Sequence, residues 1–361
     1  MLLAAAVGAL LVLGSVACSR TTGAATEVAG LGPVRAVTLG THHGCAIATD
    51  RTVRCWGSDY FGQLGDGHHV DPRRPVAATG LADIVGIDAG GDLTCAVDGQ
   101  GRVACWGYNF DGQVGSGTSE DAVFQPTLVR GLGAAQAVTA GEEHACALTS
   151  GEVWCWGSND VGQLGRSDPA RSLVPVRVPG LSDVRSISAG GWHTCAVRTD
   201  GSVSCWGLGG SGQLGAGTFS DSAPVEVEGL PAVTTVSAGS AHTCAAADDG
   251  RAWCWGAGAQ GQLGAGADRR DQDRPVSVPG LRARQLASGA GHTCAVTTAG
   301  RVRCWGDDRG GQLGAATDVG GSGIAADAGV GADVQAVAAA EDRSCAVGPG
   351  GELRCWGAQA R

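Results

Sequence analysis

Short apolar runs, four to a unit and divided by glycine-bearing turns, recur along this chain with a period of 49–51 residues. The unit that begins at Val184 shows the pattern. Val184 to Ser188 alternates apolar and polar, and Ala189-Gly190-Gly191 interrupts it. His193-Thr194-Cys195-Ala196-Val197 is a second run, Thr199-Asp200-Gly201 a turn, and Val203-Ser204-Cys205-Trp206 a third run. A Gly212-Gln213-Leu214-Gly215 loop follows, then Val225-Glu226-Val227, and Gly229-Leu230 turns toward the next unit. Short alternating strands with glycine turns at such spacing predict an all-β fold. Seven such units predict a seven-bladed β-propeller of four-stranded antiparallel blades.

Cysteines keep the same period. Fourteen of the fifteen form seven pairs: Cys45-Cys55, Cys95-Cys105, Cys146-Cys155, Cys195-Cys205, Cys244-Cys254, Cys294-Cys304 and Cys345-Cys355. The second member of each pair opens a Cys-Trp-Gly tripeptide. Setting Cys195 opposite Cys205 pairs Val197 with Val203 and leaves a three-residue loop ending in Gly201. That place calls for a left-handed residue, which glycine adopts freely. Gly101, Gly250, Gly300 and Gly351 occupy the same place. The third pair is one residue closer, and its hairpin keeps the cysteines opposed with a two-residue turn, Ser150-Gly151. Directly opposed strand positions have Cα atoms about 4.5–5.5 Å apart, within disulfide reach.

Five units also place a histidine two residues before the first cysteine: His43, His144, His193, His242 and His292. His and two Cys could hold zinc. However, Leu93 and Arg343 stand at that position in the other two units, and both units keep the cysteine pair. Disulfides are therefore expected and a metal is not. The histidines are expected to bond loop backbone beside the Ala-Gly turn.

The chain ends bear on closure. The last unit stops after three runs, while Glu27-Val28-Ala29-Gly30-Leu31 matches the fourth-strand endings of other units, such as Val227-Glu228-Gly229-Leu230. The N-terminal strand is expected to complete the last blade, which removes a free edge. Ala315 to Ala332 is rich in Gly and Ala and reads as a solvated loop or weak strand. Met1 to Ala17 is apolar and closes on small residues, as a signal peptide does. Cys18, the one cysteine outside the period, then resembles the lipidated first residue of a bacterial lipoprotein, although Ser15 stands where an aliphatic residue is usual. Ser15-Val16-Ala17 also suits ordinary signal peptidase, and either route exports the chain to an oxidising compartment. The expected organisation is a signal peptide over 1–17, a short tether over 18–25 and one propeller domain over 26–361.

Composition narrows the partners. Net charge is −10, every Lys+Arg cation is Arg, and no basic tract exists. Nucleic acid lacks its electrostatic footprint, and so does an anionic membrane surface; a lipid anchor would be the only membrane contact. There is no Gly-x-Ser-x-Gly elbow, phosphate loop or His-Glu-x-x-His.

The recurring Ala-Gly-x-x-His-Thr-Cys-Ala-Val, Asp-Gly, Cys-Trp-Gly and Gly-Gln-Leu-Gly elements resemble the repeat of the regulator of chromosome condensation family, over residues 26–357. The resemblance implies the propeller fold, not an activity. Family members include a nuclear guanine-nucleotide exchange factor, a plant ultraviolet-B photoreceptor and a secreted β-lactamase inhibitory protein. An acidic, exported chain does not fit the first. The second clusters loop tryptophans at the position of Trp192, and here only one blade has it. The third offers a precedent for an exported binding propeller.

Residues present in every blade serve the fold, so the six Gln of Gly-Gln-Leu-Gly and the seven Trp of Cys-Trp-Gly read as packing. Sites belong where the repeat is broken. The Ala-Gly turns and Gly-Gln-Leu-Gly loops share one end of the propeller. There Tyr60 and Phe61 in the first blade and Tyr108 and Phe110 in the second fall in adjacent loops, joined by Trp192, Glu142, Glu143, Asp92 and His42. Aromatic anchors beside polar residues make a protein-binding face. The expectation is a monomeric, non-enzymatic extracytoplasmic scaffold without a cofactor, binding a protein or cell-envelope ligand through that face. The alternatives are a lyase or glycoside hydrolase acting on polysaccharide, and a secreted enzyme inhibitor.

Overall fold

A computed structural model describes residues 25–217, 220–314 and 321–358. Its strands form seven separate four-stranded antiparallel sheets, and no helix occurs among the described residues. The fourth blade shows the common plan. Its strands are Val184–Ala189, His193–Arg198, Val203–Leu208 and Ser220–Glu226, running from the central channel outward. The first three match the expected runs. The outer one begins five residues before Val225, in a stretch with no alternation to announce it. The sixth blade also has an outer strand, Ser322–Asp327, inside the segment expected to be loop or weak strand. Cross-strand backbone bonds to Val302–Gly306 hold it although its side chains carry little pattern.

The hairpin registers agree with the cysteine spacing. In all seven blades the two cysteines are direct cross-strand partners. Seven disulfides follow, with Cα separations of 4.0–4.1 Å, a little shorter than the expected range. Gly201 has φ 85°, and in the shorter third hairpin Ser150 and Gly151 take φ 51° and 78°. Ring closure also occurs as expected: Thr26 pairs with Cys355 and Glu27 with Arg354, so the N-terminal strand completes the seventh blade. The residues expected to form the signal peptide, Cys18 and most of the tether lie outside the described residues.

The core lies between blades rather than within them. One cluster joins Cys195, Val197, Val203, Cys205 and Leu214 of the fourth blade to Val233, Ala245 and Trp255 of the fifth. Each Trp of Cys-Trp-Gly thus packs on the cystine of the blade before it. Six of these Trp are fully buried, and each donates its indole Nε1–H to the backbone carbonyl of the preceding blade's Gln at 2.8–3.0 Å. Trp56, at the closing seam, is only half-buried.

The five histidines correct one expectation. Each bonds the next blade's hydroxyl, and only His292 also has loop backbone in reach, at Glu341 and Arg343. His43 Nε2 lies 2.7 Å from Thr94 Oγ1, and His144, His193, His242 and His292 lie 2.8 Å from Thr194, Thr243, Thr293 and Ser344. Thr94, Thr243, Thr293 and Ser344 donate their own hydrogen to a Gln carbonyl at 2.9–3.0 Å. In these four seams a hydroxyl that has given its hydrogen must accept, so His43, His193, His242 and His292 donate Nε2–H. Nδ1 is then an unprotonated nitrogen, buried without a partner. Where the histidine is missing, so is the hydroxyl. Leu93 faces a blade that has Ala145 at this position, and Arg343 faces one with Gly44. Arg343 instead donates to the carbonyls of Gly40 and Thr41 across the closing seam, at 2.9 and 2.8 Å.

Candidate functional site

Innermost strands line a central channel of about 250 Å³. Short polar side chains stitch them together. Asp88 accepts from Thr38 Oγ1 at 3.1 Å, from Thr139 Oγ1 at 2.8 Å and from the Ala140 amide at 3.0 Å. Ser188 and Ser237 accept from the amides of Ala238 and Ser288. Burial raises Asp88 above the usual carboxylate range, and the bonds it accepts oppose that rise. These bonds tie neighbouring blades together around the channel.

At the loop end, each Gly-Gln-Leu-Gly segment is held from inside. The Gln Oε1 accepts the amide two residues before it, as Gln63 does from Phe61 and Gln113 from Asp111, both at 2.9 Å. A second clamp comes from Asp59, Asn109 and Asn159, whose Oδ1 atoms accept the amides of Leu64, Val114 and Leu164. Loops so fixed present the residues between the clamps outward.

In the first two blades those residues are aromatic. Tyr60 is 73% exposed and Phe110 54% exposed, while Phe61 and Tyr108 are half-buried. Tyr60 meets Phe61 edge-on at 4.8 Å, and Phe61 meets Tyr108 at 4.9 Å, bridging the two blades. Phe110 stands beside this row without a ring contact. Trp192 is half-buried on the fourth blade and makes no ring contact with this row among the described residues.

The polar residues divide in two. Asp92 and His42 sit by the aromatic row: Gln63 Nε2 donates to Asp92 Oδ1 at 2.9 Å, and His42 Nδ1 lies 3.6 Å from it. Burial raises Asp92, and His42 and Gln63 moderate the rise. Glu143 faces the second blade's loop; burial raises it, and Asp111 and Asp160 add to the rise. Glu142 turns toward the channel mouth, where Thr41 bonds it. Burial, then Glu341, Asp92 and Glu143, push Glu142 up to about 7.

Sequence reasoning missed several members. Asp111 lies beside Glu143 and is approached by Arg171 at 3.8 Å. Burial, then the charges of Asp111, Glu143, Asp121 and Asp92, raise the Tyr108 hydroxyl. Phe124, 37% exposed, continues the aromatic surface outward against His69 at 5.9 Å. Glu341 shares the channel mouth with Glu142. Repeat alignment holds the signal for Glu341 and Asp342, which stand where Glu142 and Glu143 do. No group of three or more metal-binding side chains occurs among the described residues.

The RCC1-like domain model matches residues 133–361, and models of the regulator of chromosome condensation (RCC1) repeat match residues 52–97 and 100–148, and 34–63 and 84–113. No curated protein matches the sequence. Among solved structures, human WBSCR16 is similar at 20% identity and a TM-score of 0.79, covering 91% of this chain and 87% of that one. Prp20p from Saccharomyces cerevisiae is similar at 19% identity and a TM-score of 0.75, covering 90% and 82%. The ectodomain of the Physcomitrella patens receptor kinase CR4 is similar at 21% identity and 0.57, covering 91% and 75%. At such identities the structures speak for the fold alone. With the domain model matched over more than half its length, this chain belongs to the RCC1-like domain family.

Proposed function

We propose that this propeller is an exported, monomeric binding protein that grips a protein partner through the loop face of its first two blades. One observation carries the reading. Five of the chain's six Phe and Tyr residues stand on those two blades, and the third to sixth blades place no Phe or Tyr at the matching positions. Exposed aromatics at the centre of a patch are the usual anchors of an interface. Seven disulfides support an oxidising compartment, and Cys18 would tether the domain by a lipid. Prp20p, similar in fold, is described with its binding to Gsp1p and histones, a precedent for protein partners though not for those partners. An enzyme held in check is one form such a partner could take.

The test compares wild type with a Tyr60→Ala, Phe61→Ala, Tyr108→Ala, Phe110→Ala variant in capture from cell-envelope extract. Partners retained by wild type and lost by the variant support the face; identical partners refute it. A polysaccharide-cleaving enzyme is the second reading, favoured by Glu142 held at about 7 at the channel mouth, in the range of a general acid. Depolymerisation abolished by Glu142→Gln and kept by the aromatic variant would select it.

A further inference from the structure

Many carboxylates of the propeller are matched by arginines: at the hairpin end Asp98 with Arg102 at 2.7 Å, Asp249 with Arg251 at 2.6 Å, Asp327 with Arg301 at 3.2 Å, and Asp83 with Arg51; in the sixth blade's loop Asp307 with Arg309 at 2.8 Å. At the loop end of the second and third blades, Asp92, Asp111, Asp121 and Glu143 all act on the Tyr108 hydroxyl. Among the described residues, the cations that approach them are Arg171, 3.8 Å from Asp111, and His42, 3.6 Å from Asp92. Among the described residues no cation pairs with Glu143 or Asp121. This surplus of negative charge borders the aromatic row, with Asp92, Asp111 and Glu143 half-buried and Asp121 exposed.

Like charges crowded on a half-buried surface repel one another, and a cation placed among them relieves that repulsion. An aromatic face beside them adds cation–π attraction, for which a guanidinium is well shaped. Resting on the proposed binding face, we infer that the partner presents a basic segment. Its arginine or lysine enters between Tyr108 and the Asp111 and Glu143 carboxylates, and its flanking apolar side chains lie on Tyr60 and Phe110. The complementarity is of charge with charge and ring with ring, so the same face disfavours acidic partners.

The test pans a phage-displayed random heptapeptide library on the intact, disulfide-bonded protein, with affinities of selected peptides measured by fluorescence anisotropy. Selected peptides should carry Arg or Lys beside an apolar residue. Their affinity should fall at least tenfold in Asp111→Asn, Glu143→Gln, and at least fivefold between about 0.05 and 0.5 M salt. A Glu226→Gln control, at an exposed position on an outer strand, should leave affinity unchanged. Near-ultraviolet circular dichroism of each variant should match wild type. Peptides without a cation that lose binding on Tyr60→Ala, Phe110→Ala would overturn the basic segment and keep the face. Peptides bound equally by both variants would overturn the face itself. A library that yields no enrichment over an unrelated propeller also overturns the inference.

Discussion

Acid should loosen this protein through its blade seams, and one seam can be rebuilt to show it. His193 is fully buried, donates to Thr243, and keeps an unprotonated Nδ1 with no partner. Protonating it would add a charge and a buried N–H with no acceptor. Burial, then the neighbouring His144, accordingly holds His193 down at about 3, against 6.5 for a free imidazole. A value depressed on folding gives stability that is present above 6.5 and lost as pH falls below it. At pH 5.5 the unfolded imidazole is mostly protonated and the folded one is not, which costs about 1.4 kcal/mol per histidine. Over the five histidines the loss between pH 8 and 5.5 approaches about 7 kcal/mol, comparable to the whole stability of many domains. The chain supplies its own replacement, the apolar seam of Leu93 and Ala145. In His193→Leu, Thr243→Ala the Gln213 carbonyl keeps its bond from Trp255 Nε1 at 2.8 Å. Guanidinium unfolding under non-reducing conditions, followed by Trp fluorescence, should show the double variant losing about 1.4 kcal/mol less than wild type on going from pH 8 to 5.5. Thr243→Ala alone strands the His193 donor and should cost about 1–3 kcal/mol at pH 8, more than the double variant does. Equal acid losses in wild type and double variant would refute the reasoning.

Other consequences are open to similar measurement. Glu142 is raised on folding, so stability present below its unfolded value near 4.5 is lost as pH rises through about 7. Glu142→Gln should therefore melt higher than wild type at pH 8, by up to about 3 kcal/mol before screening at the mouth, with the gap closing near pH 4.5. Gly190→Ala would drive a methyl group into the Gly239 carbonyl and the His193 ring, and should cost about 3 kcal/mol in a denaturation midpoint. Replacing Cys195 and Cys205 together by Ser opens a loop of 10 residues and should lower stability by about 2.7 kcal/mol on the chain-entropy model. Non-reducing mass spectrometry of wild type should find no free thiol at any of the seven pairs.

The architecture was legible because its determinants repeat. Cysteine register, turn length and the Gly at position 201 each gave the same hairpin, and a two-residue turn accounted for the one short spacing. Bonds between units were not read so well. Within one repeat His193 faces its own Ala-Gly turn, whereas its partner, Thr243, lies 50 residues on. The signal was present all the same: position by position, a histidine in one unit goes with a hydroxyl in the next, while Leu93 and Arg343 go with Ala145 and Gly44. The outer strands were underestimated because they bury little, and strands held by backbone bonds at a solvated edge need no alternation. On the face, Tyr60, Phe61, Tyr108 and Phe110 stood out as breaks in a pattern. Asp111 did not, because a single acid in a polar loop is ordinary until Glu143 is seen beside it.

Why the face should be confined to two or three blades follows from how the rest is spent. The repeated Gln, Trp and Thr are consumed seam by seam, and the channel serines and Asp88 are consumed ring-wise. Inner turns of the fourth, fifth and sixth blades read Gly191-Trp192, Ser240-Ala241 and Ala290-Gly291, with no charge among them. Those of the second, third and seventh read Gly91-Asp92, Glu142-Glu143 and Glu341-Asp342. The inner turns are therefore polarised, uncharged on one side and acidic on the other, with Tyr60, Phe61, Tyr108 and Phe110 on the acidic side. Fixed backbones beneath it, each hairpin closed by a disulfide and each loop clamped by its own Gln, mean that little order remains to be bought on binding. A rigid, one-sided patch of this kind selects a partner by matching shape and charge rather than by folding around it.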